Sequence, residues 1–514
     1  MYKRGRVRIP YPERIPLLYA VTFAILLSAL QLYQGTNPFF SLCSFLFIVI
    51  ATIAFNLAGG FSRPSGAYVF FYAVLAVILG LCWKAFLGEP ADSHLLLPML
   101  TIRVFLGGIT AMLGAVYVSR HLTAKRPLLG RMVTDENIQN ATVGCMITGL
   151  IVTAALTFLP RQNGSFLSSL AQVNRFLPMA IILGVIHQIR RSGGKSSVNL
   201  PVLISGAAMF IQGLISFSKE GMFTAPVCWL IAAGSQRYKL KFYQIVGILA
   251  VALFMVQYLV PFSQYGRNFR STTGSPIDDA KIAMSFLSNL DDVRKNSTEN
   301  AASDFENATQ GGYYNSPQGL FDRLQMISID DLLIDATERK GTFGYSPIYS
   351  SFANMIPHVF WHDKPTIGFG NLYAHQIGGL PDDDVTTGIS FSPSGEGYHI
   401  DRWIGVLILS PIIWIMLFTL FDSLCGSVRE TPWGLLAIAL FSHAAPEGML
   451  DGVIYMLGFS AFSIVVAAFS ATYLMPLLGT LFKGPERIII RHHKPFQSVP
   501  RASGAISRWH QPLN

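Results

Sequence analysis

The chain has 514 residues, of which 51% are hydrophobic and 13% charged, with 38 Lys and Arg against 29 Asp and Glu for a formal net charge of +9. Apolar residues in such long runs exclude a set of soluble domains and point to one integral membrane domain. The cysteines exclude a disulfide framework, because Cys43, Cys82, Cys145 and Cys228 fall in apolar runs and Cys425 in a turn between runs.

Runs such as Leu17 to Leu32, Phe39 to Leu57, Val69 to Cys82 and Ile245 to Val260 approach the roughly 20 residues needed to cross about 30 Å of hydrocarbon. The pattern predicts an all-α polytopic membrane protein of about twelve transmembrane helices, centred near residues 24, 48, 76, 110, 149, 181, 208, 228, 252, 412, 438 and 466. The eighth and eleventh are short and contain Gly and Pro. Met1 to Leu32 has a basic start and an apolar run but no small-residue cleavage site, so it reads as an uncleaved first helix. Neither an internal repeat nor a heptad run is present. The organisation is then nine helices over residues 1–260, one large and partly helical extracytoplasmic loop over 261–401, three helices over 402–480, and a basic cytoplasmic tail over 481–514.

Charge sorting sets the orientation. With the N-terminus inside, Lys and Arg dominate the inward segments: Lys3, Arg4, Arg6, Arg8 and Arg14; Arg120, Lys125, Arg126 and Arg131; Arg190, Arg191 and Lys195; Arg237, Lys239 and Lys241; and the tail from Lys483 to Arg508. They alternate with span parity as the positive-inside rule requires, which puts both termini in the cytoplasm and the large loop outside. The net positive charge is therefore topogenic and in contact with anionic lipid, with no nucleic-acid partner.

Within the loop, Ser275 to Arg339 is acidic, with helical stretches expected over Asp278 to Leu290 and Pro317 to Thr337, joined by a polar connection over Asn296 to Gly312. The second helix is expected to lie on the membrane surface or pack on the spans. From Lys340 to Tyr398 the loop becomes rich in aromatic residues, Gly, Pro and His.

Three constellations carry chemistry. Cations stand at the outer ends of spans, Arg103, Arg175 and Lys219, with Arg267 and Arg270 just after the ninth; there the positive-inside bias gives them no reason, so each needs a partner or a task. Anionic phosphate is one such partner, and snorkelling or a pair with Glu220 the plainer alternative. Next comes Ile356-Pro-His358-Val-Phe-Trp361-His362-Asp363-Lys364-Pro365, which can present a base, a phosphate contact and a sugar-stacking ring together, or be a proline-bounded turn with surface histidines. Its prolines disfavour a helical zinc motif, and no metal site or cofactor is expected. The third, Ser392-Pro-Ser-Gly395-Glu396-Gly397-Tyr398-His399, places a carboxylate between glycines that would let the backbone approach a substrate. The Asp382-Asp383-Asp384 run reads as a solvated turn.

The span plan, the Ile356 to Pro365 segment and the Gly395-Glu-Gly-Tyr398 turn together resemble the Wzy-type O-antigen polymerases of bacteria, which are similar in plan to O-antigen ligases. Members often carry a Ser-Arg pair opening the span after the seventh; here Ser218-Lys219 stands there, keeping the charge but losing the bidentate fork. The resemblance implies metal-independent glycosyl transfer at the outer face of the bacterial inner membrane, from one polyprenyl-diphosphate-linked oligosaccharide to another, with membrane lipids and a chain-length regulator as further partners. Under it, Lys219, Arg267 and Arg270, with Arg103, Arg175 and Lys364, would hold the diphosphate; Glu396 or His358 would be the base; Trp361, Tyr398 and His362 would meet sugar. The acidic amphipathic segment would cover the site. O-antigen ligase is the nearest alternative. A flippase or other transporter would place ionisable groups along a central path, and a polyprenyl-monophosphate glycosyltransferase would need carboxylates in the first outer loop, which lacks them.

Overall fold

A computed structural model describes residues 6–130, 132, 135–159, 166–267, 269, 276–297, 312–356, 361, 367–380, 383–384 and 387–481. Among the described residues, eight helices are long and apolar enough to cross a membrane: α2 (Pro38–Ser62), α3 (Pro64–Leu87), α4 (Pro98–Leu122), α5 (Ile138–Phe158), α6 (Leu170–Arg191), α9 (Phe242–Arg267), α14 (Pro393–Cys425) and α16 (Met449–Leu481). Four shorter helices, α1 (Leu17–Tyr33), α7 (Leu200–Ile215), α8 (Lys219–Ser235) and α15 (Trp433–Glu447), fall on the other four predicted centres. Between α9 and α14 lie α10 (Pro276–Ser288), α11 (Ile327–Lys340), α12 (Ser346–Asn354) and α13 (Phe369–Gln376). The architecture is all-α, with a two-residue antiparallel pair, Val7–Arg8 with Lys239–Leu240, as the strand content of the described residues.

Local chemistry sets the helix ends. Proline occupies the first turn of α2, α3, α4 and α14, where its missing N–H costs nothing. Asn37, Asn199, Ser218 and Ser392 accept from first-turn amides as N-caps. Side-chain burial then ties the helices together around Trp414, Trp433, Tyr68, Phe441 and Phe418, all fully enclosed. By contrast Phe242–Phe254 of α9 buries no residue and presents Phe242, Leu249 and Leu253 outward, a face suited to lipid.

The connections sort to two ends. At one, Val7–Arg8 meets Lys239–Leu240, Val428 N donates to Ser62 O (3.0 Å), Leu128 N donates to Ser423 O (2.9 Å), and Arg429 pairs with Glu13 (2.5 Å). These are the segments that charge sorting assigns inward. At the other, Asn315 N donates to Glu89 (3.2 Å), Leu97 N to Asp331 (3.0 Å) and Arg267 Nε to Phe217 O (3.2 Å). These are the segments assigned outward.

The loop is seated on the helix ends by α11. Asp331 accepts from Leu96 N (2.5 Å), Leu97 N (3.0 Å) and Thr101 Oγ1 (2.6 Å), which caps the start of α4. Its neighbour Asp330 accepts from Ser392 N (3.0 Å) and Ser392 Oγ, at the start of α14. Two adjacent carboxyl groups thus satisfy free N–H groups at the starts of two long helices. The predicted helix over Pro317 to Thr337 is corrected in its first half. Residues before α11 form a turn laid on α3, where the Trp83 and Phe321 rings stack at 3.7 Å and Met326 N donates (2.8 Å) to the carbonyl of Ala76, inside the π-helical stretch Tyr72–Ile78. A π-turn leaves its carbonyls less fully used within the helix, so an incoming amide can take one.

Candidate functional site

The turn between α7 and α8 builds one wall. Phe217 stands in the left-handed region at φ 49° and is fully buried against Phe262, and Gly266 leaves room for its ring, which an added Cβ there would meet at 2.1 Å. The Phe217 carbonyl accepts from Ser263 Oγ (2.6 Å) and Arg267 Nε (3.2 Å), so the end of α9 is fixed over the start of α8. Ser218 then caps Gly221 N (3.1 Å), which sets Lys219 at the first position of α8.

Three cations converge there. With its amide oriented to satisfy both donors, Gln264 accepts from Lys219 Nζ (3.2 Å) and Arg323 Nε (3.0 Å). Arg267 lies within electrostatic reach of Lys219 and Arg323. Surrounding protein first, and the Arg267 charge next, push Arg323 below the ordinary arginine value. Glu447, at the end of α15, faces Lys219 and Arg323, but it is also the partner of His443, whose Nδ1 lies 2.5 Å from its Oε1. The His443 Nε2 looks toward Glu220 at 4.0 Å. The result is an open, cation-rich site at the outward-assigned end, drawn from four separate segments. Clustered like charges repel, so the arrangement is relieved by an anion with several oxygens.

Sequence reasoning placed Lys219 and Arg267 here, and the structure brings them together. It missed Arg323, His443 and Glu447. Arg323 sits in an acidic stretch and the other two at the end of an apolar run, so no local sequence signal marks any of the three. Arg175 opens the regular part of α6; its Nε is enclosed without a hydrogen-bond partner, and its charge reaches Tyr455, as does that of Glu220. Arg103 belongs elsewhere: exposed on α4, it donates to Met99 O (2.9 Å) and lies near Tyr398 with Arg402. Arg270, His358, His362 and Lys364 lie outside the described residues, as does Asp382. Trp361 is described and keeps an open ring, 42% exposed.

The Gly-Glu-Gly-Tyr segment departs from expectation. It is not a loop: Pro393 starts α14, and the chain breaks helical geometry only at Asp401 and at Arg402, which has φ 43°. Glu396 is 0% exposed, accepting from Tyr373 Oη (3.1 Å) and from Leu450 N, with Asp451 beside it. Burial, followed by the Glu396 charge, raises the Tyr373 hydroxyl, so it stays protonated and donates. The flanking glycines approach protein rather than substrate: an added Cβ on Gly395 would lie 2.4 Å from Asp330 Cγ, and one on Gly397 2.7 Å from Ser410 Oγ. Tyr398 is also enclosed, its ring among Val104, Ile334 and Val406 and its hydroxyl donated to Glu338 (3.0 Å), which leaves no open face for sugar stacking.

The two regions meet at one break in the chain. The chain breaks between α15 and α16 at Gly448 and at Met449, whose φ is 54°. Glu447 on one side of this break faces the cations, and Leu450 on the other donates to Glu396. Among the described residues no group of three or more His, Cys, Asp or Glu is arranged to hold a metal ion. No known family profile, curated protein or solved structure matches this chain.

Proposed function

We propose that this protein joins lipid-linked oligosaccharide repeat units into a surface polysaccharide at the outer face of a bacterial plasma membrane, with about twelve crossings and both termini inside. The observation that carries the reading is the convergence of Lys219, Arg267 and Arg323 on one open site at the outward-assigned end. Glycosyl transfer from a polyprenyl diphosphate breaks the bond from the anomeric carbon to the diphosphate oxygen, and the electron pair leaves with that oxygen. Fixed cations stabilise the charge that develops there. The acceptor hydroxyl forms the new bond to the anomeric carbon and loses its proton. His443 is suited to take it, since Glu447 holds one imidazole nitrogen and the other looks across the site. Glu396, being enclosed, serves as a positioning residue that ties α14 to the break between α15 and α16.

The test is a chromosomal deletion followed by gel analysis of surface and carrier-linked glycans. Loss of long chains with single repeat units retained is the expected result. Long chains accumulating on carrier lipid would instead assign the protein as a ligase, and unchanged glycans would overturn the reading.

A further inference from the structure

The opposite, inward-assigned end holds a second cationic feature that glycosyl transfer does not use. A cavity of about 480 Å³ is lined by Arg6, Arg237 and Lys239 together with Gly193, Gly194 and Gln236, and among the described residues no carboxylate lines it. It lies where α6 ends at Arg191 and α8 ends at Ser235, which is headgroup depth for helices that cross a bilayer. Two local costs are accepted to build it. Arg8 and Lys239 are direct cross-strand partners in the short ladder, although like charges opposite one another destabilise a pair. Arg237 occupies the left-handed turn after α8 at φ 55°, its N–H donating to Gly234 O (2.9 Å), a position that glycine fills without strain and other residues only with it. Positive-inside bias alone needs neither a cation at a strained position nor cations facing each other.

We infer that this cavity is a binding site for a phosphate group, taken from the headgroup of an anionic phospholipid such as phosphatidylglycerol or cardiolipin. A phosphate diester held among Arg6, Arg237 and Lys239 neutralises the cluster through charge-assisted hydrogen bonds, and the two glycines leave the rim open, with no atom within 4 Å of the Cβ either would carry.

The experiment is native mass spectrometry of the full chain in detergent, titrated with cardiolipin, phosphatidylglycerol or phosphatidylcholine. Anionic lipids should be retained in preference to phosphatidylcholine. Arg237→Gly relieves the left-handed strain while removing the charge, so it should fold at least as well and reduce that retention about tenfold, with Lys239→Gln close behind. A control with the same charge change at Arg120→Gln should leave retention unaltered. Equal retention of all three lipids, or equal loss in the control, would overturn the site. Displacement of cardiolipin by millimolar inorganic diphosphate would replace the lipid with a soluble phosphate as its ligand.

Discussion

At the scale of single residues, Lys219 is the best placed to separate a diphosphate site from a structural ion pair. Removing one fixed donor from a developing oxyanion costs roughly 2–4 kcal/mol, so Lys219→Ala should slow chain extension roughly 30- to 1,000-fold at unchanged protein level. Arg323→Ala should fall in the same range, because Gln264 holds both cations to one point. Lys219→Arg should keep most of the activity. Near-normal polymer from well-expressed Lys219→Ala, assayed with purified lipid-linked repeat units, would remove the assignment. Glu396 predicts a different outcome. Its truncation to Ala leaves Leu450 N–H and the Tyr373 hydroxyl buried without their acceptor, worth about 1–3 kcal/mol each in lost stability. Thermal unfolding in detergent should show that loss for Glu396→Ala and a smaller one for Glu396→Gln. A Glu396→Ala protein with wild-type stability but no activity would return the residue to the role of base. The contrast shows what was legible. Charge at a span end marks Lys219 and Arg267 without any fold, whereas the burial of Glu396 depends on α13 and the α15–α16 break folding over it, partners distant in sequence.

At the scale of elements, the docking of α11 is a titratable joint. Burial raises Asp330 to about 7 from the ordinary 3.8, against the hydrogen bonds from Ser392, and burial likewise raises Asp331. A carboxyl raised in the folded state binds its proton more tightly there than in the unfolded chain. Its contribution is therefore complete below about pH 4 and is lost as pH rises through about 7. Hydrogen exchange of the α11 backbone, corrected for the intrinsic effect of pH, should show protection falling across that interval. Asp330→Asn keeps an acceptor for Ser392 N but cannot titrate, so it should flatten much of the slope. A slope equally steep in Asp330→Asn would assign it to other groups. Sequence periodicity foresaw a helix at α11 and left open whether it lies on the membrane surface or packs on the spans; it did not foresee that the residues before it lie in a turn. The i,i+4 spacing of Leu320 and Leu324 suits a helix, and the Trp83 ring and the Ala76 carbonyl favour the turn instead. Similarly, glycines flanking a glutamate suggest an open loop until Gly397 and Gly405 are seen to let one stretch of backbone lie on another.

At the scale of the whole molecule, the connections between helices gather at two ends, and charge parity assigns one of them inward and the other outward. Two independent observations bear on the orientation: Lys and Arg alternate along the sequence, and hydrogen bonds join Val7–Arg8 to Lys239–Leu240 at one end and Asn315 to Glu89 at the other. The alternation of charge and apolar runs is legible in the sequence because both are local properties. The meeting of Arg323 with Lys219 was not, since it depends on how α9, the loop and α15 are arranged around α8. The cation site faces a lipid-linked donor only if its end lies outside the membrane. Single cysteines introduced at Gly312 and Gly194, in a background with the five native cysteines replaced, separate the two orientations. An impermeant maleimide applied to intact spheroplasts should label Gly312→Cys and leave Gly194→Cys unlabelled until the membrane is opened. The reverse pattern would turn the molecule over, placing the cations of Lys219, Arg267 and Arg323 in the cytoplasm, away from exported repeat units, and the cavity of Arg6, Arg237 and Lys239 outside. Labelling of both sites from outside would break the parity altogether and change the number of crossings between them from odd to even.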